Sequence, residues 1–248
     1  MFQMYKYSSY AVVISFLLLL ISFFKRNDFT SDLQVLAQLS QEPMQSLVEI
    51  PAFTTIYNEE TFKVIPKYAY EIHGLVVSYR VHDSEYGQMI HALSKDHLNV
   101  ADYCVVWGIS ADPEILHEFD FFNGQFTCNF STHSESAWQA FNQFQLSNNH
   151  LLATDDDIRN TITDIKIGDQ ISIKGWLSHY IGPSGYERGS STVRTDTGDG
   201  ACETIFVNDI EILSSMQSKW RTLLSFSFGA FLISLFLFLK APYRPHSN

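Results

Sequence analysis

Two uncharged apolar runs near the two ends of the sequence constrain this chain more than any other feature. Tyr7 to Phe24 and Thr222 to Leu239 each contain no charged side chain, and basic residues flank both runs. A helix rises about 1.5 Å per residue, so a run of this length reaches roughly 27 Å, which is close to the hydrocarbon thickness of a bilayer. The pattern predicts transmembrane helices at 7–24 and 222–239, with the lipid bilayer as a partner.

A cleaved signal peptide is the alternative for the first run. The residues that close it, Ser22-Phe23-Phe24-Lys25, are bulky and then basic, whereas a cleavage site needs small residues. We therefore predict an uncleaved anchor and an integral membrane protein with two spans. The flanking Lys and Arg residues are balanced between the two sides, but the acidic, lysine-poor middle favours an extracytoplasmic domain with both termini cytoplasmic.

The charge of the chain is unevenly distributed along the sequence. The formal net charge of the 248 residues is −11, yet all 27 acidic residues and only nine of the 16 basic residues lie within 27–218, which leaves that region at −18. Nucleic-acid binding depends on clustered Lys and Arg. The sequence therefore predicts no nucleic-acid partner.

The region between the spans is predicted to form one soluble α+β domain over 67–213, preceded by a stalk and connection over 28–66. Strand signals come from alternating apolar residues and, for the hairpin, from a central Asn-Gly turn. The predicted strands are Tyr68–Val81, Val100–Trp107, the hairpin Phe119–Phe130, Gln170–Ile181 and Ala201–Leu213.

Two helices are predicted between these strands. Thr132 and Glu135 match a capping box, and Thr154 precedes a second helix whose first turn is acidic. The stretch Ser147–His150 lies between them, and its two Asn residues predict a turn. Ser31–Gln41 has apolar residues at helical spacing, which predicts a helical stalk.

Part of the last third resembles a known barrel type. The strings Ile165–Leu177 (IKIGDQISIKGWL) and Ile205–Leu213 (IFVNDIEIL) are similar to strands of small β-barrels of the OB type. The resemblance implies a β-rich, OB-like barrel portion in the domain. It concerns the fold and does not fix a function.

The densest polar stretch is Arg188–Glu203 (RGSSTVRTDTGDGACE). In the simplest interpretation it is a hairpin loop in which Arg188 or Arg194 pairs with Asp196, Asp199 or Glu203. These five residues are the predicted binding residues.

Two other interpretations of the same stretch involve chemistry. Asp196, Asp199 and Glu203 could hold a divalent cation in a flexible loop, although their spacing fits no EF-hand. Alternatively, Cys202 is a nucleophile with His150 or His179 as its base.

The remaining motifs limit the possible functions but do not identify one. Cys104, Cys128 and Cys202 are an odd set, which allows one disulfide with a spare thiol or three thiols. The chain has no H-E-x-x-H, C-x-x-C or P-loop pattern, so no cofactor is predicted beyond the divalent-cation alternative.

Two functional hypotheses follow from this pattern. The first is a membrane-anchored protein that presents an acidic α+β domain at the membrane surface for structural or partner-binding work in the cell envelope, with a protein partner. The second is a membrane-tethered hydrolase that uses the Arg188–Glu203 loop with a divalent cation, or a pair of Cys202 and histidine.

Overall fold

The computed structural model describes residues 2–30, 32–82, 93–196, 198 and 201–240, without the side chains of residues 2–6. The chain divides into two compact units. One consists of the two terminal regions, 1–30 and 217–248, and the other of residues 31–216. The protein is therefore α+β, with the two long helices in one unit and a mixed sheet in the other.

Two long helices form the terminal unit. Helix α1 spans Phe2–Lys25 and helix α5 spans Lys219–Lys240. Within them, Tyr7–Lys25 and Lys219–Lys240 have mean hydropathies of 2.1 and 2.2, and both are long and apolar enough to cross a membrane. The predicted spans at 7–24 and 222–239 lie inside these two helices.

The two helices contact each other along a seam of serines. The buried serines of α1 recur every seven residues, and α5 contributes a matching pair; the set is Ser8, Ser15, Ser22, Ser227 and Ser234. The hydroxyls of Ser15 and Ser234 are 3.3 Å apart, and those of Ser22 and Ser227 are 3.5 Å apart, so the helices run antiparallel. Small side chains allow helix backbones to approach closely in an apolar medium.

The other unit is built mainly from strands. They are β1 (Met44–Leu47), β2 (Phe53–Tyr57), β3 (Glu60–Val81), β4 (Asn99–Val106), β5 (Phe119–Asn123), β6 (Cys128–Thr132), β7 (Leu146–Leu152), β8 (Gln170–Ile181), β9 (Glu187–Arg188) and β10 (Glu203–Ser214). Short α-helices among the described residues include α2 (Pro113–Leu116), α3 (Glu135–Ala140) and α4 (Asp156–Asp164).

Within the described part of the chain, eight strands form one mixed sheet, and β5 and β6 form a separate hairpin. The 22-residue strand β3 pairs antiparallel with both β4 and β8. Strand β4 pairs with β7, β7 runs parallel to β10, and β10 pairs with β8. These five strands therefore form a closed circuit of pairings, from β3 through β4, β7, β10 and β8 back to β3.

The hydrophobic core lies on one face of these five strands. Strand side chains alternate between two faces, and one set of alternate residues is apolar and fully buried. This set includes Ile72, Tyr103, Leu151, Ile173 and Ile205. Helix α4 packs against the same core through Ile162, whose carbonyl accepts a 2.6 Å hydrogen bond from the Tyr103 hydroxyl.

The alternating pattern located most strands within a few residues. The predicted segments 68–81, 100–107, 170–181 and 201–213 correspond to β3, β4, β8 and β10, and the hairpin 119–130 corresponds to β5 and β6. The stretch predicted as stalk and connection, 28–66, contains β1, β2 and the start of β3, so the folded unit extends further toward the N-terminus than the pattern indicated.

Two local predictions were wrong. Ser147–His150 is not a turn but the middle of β7, because pairing with β4 on one side and β10 on the other overrides the turn preference of two asparagines. In the predicted stalk helix Ser31–Gln41, the described residues contain only a 3-10 turn at Ala37–Ser40, which packs the buried Leu39.

Candidate functional site

A polar patch occupies the face of β4, β7 and β10 opposite the core. Asp102 is the register partner of His150, and His150 is the register partner of Thr204, so these three residues lie side by side. Two residues along, Cys104 is the partner of Asn148. Cys202 immediately precedes β10 and is two residues from Thr204, so the period of two places it on this face as well.

A buried carboxylate between two imidazoles forms the centre of the patch. The Asp102 side chain is fully buried, its Oδ1 is 2.5 Å from His150 Nδ1, and its Oδ2 is 3.0 Å from His82 Nε2. Asn99 Nδ2 donates a third contact to Oδ1 at 3.3 Å. Burial alone would raise the pKa of Asp102, but the hydrogen bonds to His150 and His82 outweigh burial and hold this pKa well below its usual range.

The same contacts keep one imidazole charged. Burial would lower the pKa of His150, but hydrogen bonds to Asp102 and to Cys202 raise it to about 9. Because His150 Nδ1 is hydrogen-bonded to Asp102, Nε2 is the ring nitrogen that remains to interact with Cys202. His150 is therefore an imidazolium between a carboxylate and a thiol at neutral pH.

Cys202 is a free, half-buried thiol with three described neighbours besides Thr204. His150 is its diagonal neighbour in the sheet, since His150 is the register partner of Thr204 and Cys202 contributes to the raised pKa of His150. Asn148 Nδ2 donates to Sγ at 3.4 Å. The third neighbour is the carbonyl oxygen of Phe126, which is 3.7 Å from Sγ and also accepts from Asn148 Nδ2 at 3.0 Å. The Cys202 side chain thus accepts from one amide and donates to one carbonyl oxygen within the patch.

Phe126 covers the two histidines. Its backbone has φ of +60°, a left-handed conformation that is uncommon for a bulky residue and that is often found at functional sites. Its ring centroid is 6.2 Å from that of His82 and 6.0 Å from that of His150. The Arg188 guanidinium lies 3.8 Å from the same ring, which gives Phe126 a fixed position over the site.

A cavity of about 310 Å³ opens beside Cys202. Asn148, Asp196 and Gln143 supply polar groups to its wall, and Phe126 and Phe130 supply apolar surface. No Lys, Arg or His is among the described residues that line it. The thiol therefore faces a small space that suits an uncharged or cationic group. A larger cavity of about 660 Å³, along β1 and β8, contains none of the polar patch.

The candidate residues of the Arg188–Glu203 loop separate into different clusters. Arg194 Nη1 donates to Glu203 Oε1 at 2.8 Å, which is one of the pairings that the loop interpretation predicts. Arg188 instead lies 3.6 Å from the buried carboxylate of Asp96. Asp196 accepts from the Ser191 hydroxyl. Asp199 lies outside the described residues.

The two candidate bases for Cys202 differ in position. His150 is the register partner of Thr204, two residues from Cys202, and Cys202 contributes to the raised pKa of His150. His179 instead lies 3.4 Å from Glu187 Oε2 and lines a separate cavity with Lys67 and Gly189. For the cation alternative, the described ranges contain no group of three or more His, Cys, Asp or Glu residues that could hold a metal ion.

Glu203 belongs to the opposite face of the sheet, next to the core. It is the register partner of Asn149, not of Asn148, and its side chain is almost fully buried. Burial raises the pKa of Glu203 to about 7 although Arg194 lowers it, and Oε2 has no hydrogen-bond partner in the described part of the chain. Glu203 is therefore separate from the thiol site although it follows Cys202 directly.

Sequence reasoning missed Asp102 and His82. Both are distant from Cys202 in the sequence, and no motif links them to it. The available signal was chemical: Asp102 is the one acidic residue in the apolar segment VADYCVVW, and a buried acid needs partners.

No family model, curated protein or solved structure matches this chain. The function must therefore be argued from the site itself.

Proposed function

We propose that this protein is a membrane-anchored, cysteine-dependent acyl-transfer enzyme, most simply a hydrolase. The observation that carries the proposal is that Cys202, His150 and Asp102 lie on one face of neighbouring strands, with His150 bound to Asp102 and Cys202 beside a cavity. A nucleophile, a base and an orienting carboxylate in hydrogen-bonded series is the arrangement by which such sites are recognised on unrelated folds.

Each residue has a distinct role in the proposed reaction. The Cys202 thiolate attacks an acyl carbon, and His150 gives its proton to the leaving group. His150, now neutral, then takes a proton from water; the hydroxide attacks the thioester, the acid is released, and the Cys202 thiolate and protonated His150 are restored. Asp102 keeps Nδ1 of His150 engaged so that Nε2 faces the sulfur, and Asn148 positions the thiolate through its amide.

The lining of the cavity limits the substrate. With Asp196 in the wall and no cationic side chain among its described residues, the cavity favours neutral or cationic acyl groups over anionic ones. Its volume of about 310 Å³ is at the small end of the range for ligand sites. We propose a small acyl group or one peptide side chain as the occupant.

The fold proposal extends the OB-type resemblance. Five strands, β3, β4, β7, β10 and β8, pair in a circuit, which supports a small closed barrel of this type. In OB-type barrels, ligands bind across the second and third strands and the adjoining loops. In the circuit these are β4 and β7, which carry Asp102 and His150, and this position supports the assignment of the site.

We propose that the domain faces an extracytoplasmic compartment, with the regions before α1 and after α5 cytoplasmic. The disulfide between Cys104 and Cys128 supports this orientation, because such bonds persist in oxidising compartments. A reporter fused at Asn248 that is active only in the cytoplasm is the expected result. A reporter that is active only outside the cytoplasm would overturn the orientation and leave the chemistry to be tested separately.

The catalytic proposal is tested with the full chain in detergent micelles. Neutral, cationic and anionic esters and thioesters form the substrate panel. We expect turnover of neutral or cationic compounds that falls by at least about a thousandfold in Cys202→Ala and His150→Gln. His179→Gln is the matched control and keeps its activity. No turnover above the rate of the Cys202→Ala variant, across the panel, would overturn the proposal.

Partner binding is the second candidate function. It is favoured by exposed aromatic side chains near the β5–β6 hairpin, namely Phe122, Trp138 and Phe144, which are each about half exposed. In this case the acidic domain presents these rings to a protein partner in the cell envelope. Replacing all three by Ser should abolish cross-linking to that partner and leave ester turnover unchanged.

A further inference from the structure

The three cysteines lie around one small region of the polar patch. Cys104, on β4, is fully buried and forms a disulfide with Cys128, the first residue of β6. Cys128 is half-buried and lines the cavity beside Cys202. The disulfide therefore has one protected sulfur atom and one that borders the cavity of the free thiol.

Cys202 contacts a chain neighbour of Cys128 and the register partner of Cys104. Its Sγ lies 3.7 Å from the carbonyl oxygen of Phe126, two residues before Cys128. Its Sγ also accepts from the amide of Asn148, which is the register partner of Cys104. Asn148 thus separates Cys202 from Cys104 within the sheet, whereas Cys202 and Cys128 line the same cavity.

We propose that Cys202 exchanges with the Cys104–Cys128 disulfide. The Cys202 thiolate attacks Sγ of Cys128, a bond forms between these two sulfurs, and the Cys104–Cys128 bond breaks with its electron pair on Cys104. The Cys104 thiolate takes up a proton, which balances the proton that Cys202 gave up. The step needs no oxidant or reductant, because one disulfide and one thiol are present before and after it.

The attack on Cys128 rather than Cys104 follows from access. Exchange requires the thiolate to approach along the axis of the disulfide, and Cys104 is covered in a strand that is buried at every position. Cys128 belongs to the β5–β6 hairpin, which is a separate two-stranded sheet, so it is not a member of the main sheet that encloses Cys104.

Exchange would move the free thiol from the cavity to the interior. A thiol at Cys104 has no access to substrate, and buried thiols are inert. The β5–β6 hairpin stays tethered in both forms, to β4 before exchange and to the start of β10 after it. The inference does not depend on acyl transfer, but it would provide that reaction with an inactive state.

The first test uses the full wild-type chain in detergent, incubated at about pH 8 without oxidant. The protein is then acid-quenched, alkylated and digested without reduction, and disulfide-linked peptides of the monomer are identified by mass spectrometry. We expect a Cys128–Cys202 peptide together with alkylated Cys104. Cys202→Ser, and wild-type protein alkylated before incubation, should yield only the Cys104–Cys128 peptide. The proposal would be overturned if wild-type protein that was not alkylated before incubation also yielded only the Cys104–Cys128 peptide.

A second test removes one partner at a time. In Cys104→Ser we expect Cys128 and Cys202 to join under mild oxidation, so that neither is alkylated. In Cys128→Ser we expect Cys104 and Cys202 to remain separate thiols, because Asn148 lies between them. Free Cys128 and Cys202 in the first variant, or a Cys104–Cys202 bond in the second, would contradict the proposed path. Both readouts are independent of ester turnover.

Discussion

Two buried carboxylates on opposite faces of the same sheet show how partners decide the charge of an acid. Asp102, on the outer face, contacts two imidazoles and one amide, and its pKa is held well below the usual range. Glu203, on the core face, has one cationic partner, Arg194, and its pKa is raised to about 7. The comparison teaches that a single ion pair does not offset full burial here, whereas several hydrogen bonds do.

The largest expected effect on stability comes from replacing Asp102, the acid with more hydrogen-bond partners. In Asp102→Asn, both imidazoles lose their anionic partner inside the protein, and we expect the free energy of unfolding to fall by about 3–5 kcal/mol. The pKa of His150 should drop with it, so alkylation of Cys202 at neutral pH should slow by at least about tenfold. Denaturant titration followed by tryptophan fluorescence measures the first effect, and mass spectrometry of the alkylated peptide measures the second.

Equal losses of stability in Asp102→Asn and Glu203→Gln would show that the number of partners does not set the contribution of these two acids. Glu203→Gln is the appropriate control because it also neutralises one buried acid beside the same strand, β7, on the other face. We expect it to leave the rate of Cys202 alkylation unchanged.

The next effect is a pH dependence that belongs to Glu203. Its pKa in the folded state, about 7, lies above the ordinary value of 4.5, so the folded protein binds the extra proton between these values. Its contribution to stability is therefore complete below about pH 4.5 and is lost as the pH rises through 7, by roughly 3 kcal/mol at most. Unfolding titrations from about pH 4.5 to 7.5 measure this slope, and Glu203→Gln should flatten it.

Asp102 should change stability with pH in the opposite direction to Glu203. Because its pKa is depressed, its stabilising contribution is present above its ordinary range and is lost only on strong acidification. A wild-type stability that rises between about pH 5 and 7, and that still rises in Glu203→Gln, would show that Glu203 is not the group responsible.

A smaller effect should follow from removing the second imidazole. In His82→Gln, Asp102 keeps its bond to His150, so we expect a loss of about 1–2 kcal/mol in unfolding free energy. The rate of Cys202 alkylation should stay within about threefold of wild type, since the thiol contacts His150. A loss of reactivity as large as that of Asp102→Asn would assign His82 a direct role at the thiol.

The smallest loss of stability is expected for Arg194→Met, on the core face, at low pH. At about pH 5 Glu203 is protonated, so Arg194→Met removes hydrogen bonds to Glu203 and Tyr70 but leaves no buried negative charge. We expect a loss of about 1 kcal/mol at that pH and a larger loss at about pH 8. Equal losses at the two pH values would indicate that Glu203 stays ionised throughout.

The sequence predicted those parts of the fold whose cause is local. The alternation in β8 and the hairpin of β5 and β6 arise from neighbouring residues, and both were located correctly. Strand β7 was missed because its centre, Ser147–His150, is entirely polar, and its conformation is imposed by β4 and β10. A single-sequence pattern contains no information about such distant partners.

The same reasoning explains what was predicted of the site. The chemistry of Cys202 pointed to a histidine, but His150 and His179 could not be separated until β7 was placed beside β10. Asp102 lies 48 positions from His150 in the sequence, and their contact depends on a register that only the folded sheet provides. Residue types thus indicated the kind of site, whereas the fold determined its members.

The serine seam of the two long helices has a consequence for biosynthesis. Helix α1 is translated before the whole of residues 26–218, so at about 5–20 residues per second it waits roughly 10–40 s for its partner. During that interval its serines are not exposed donors, because Ser15 and Ser22 donate to backbone carbonyls one turn earlier, at 2.6 and 2.7 Å. Before α5 is made, helix α1 would therefore present no unpaired hydroxyl at Ser15 or Ser22 to an apolar surrounding.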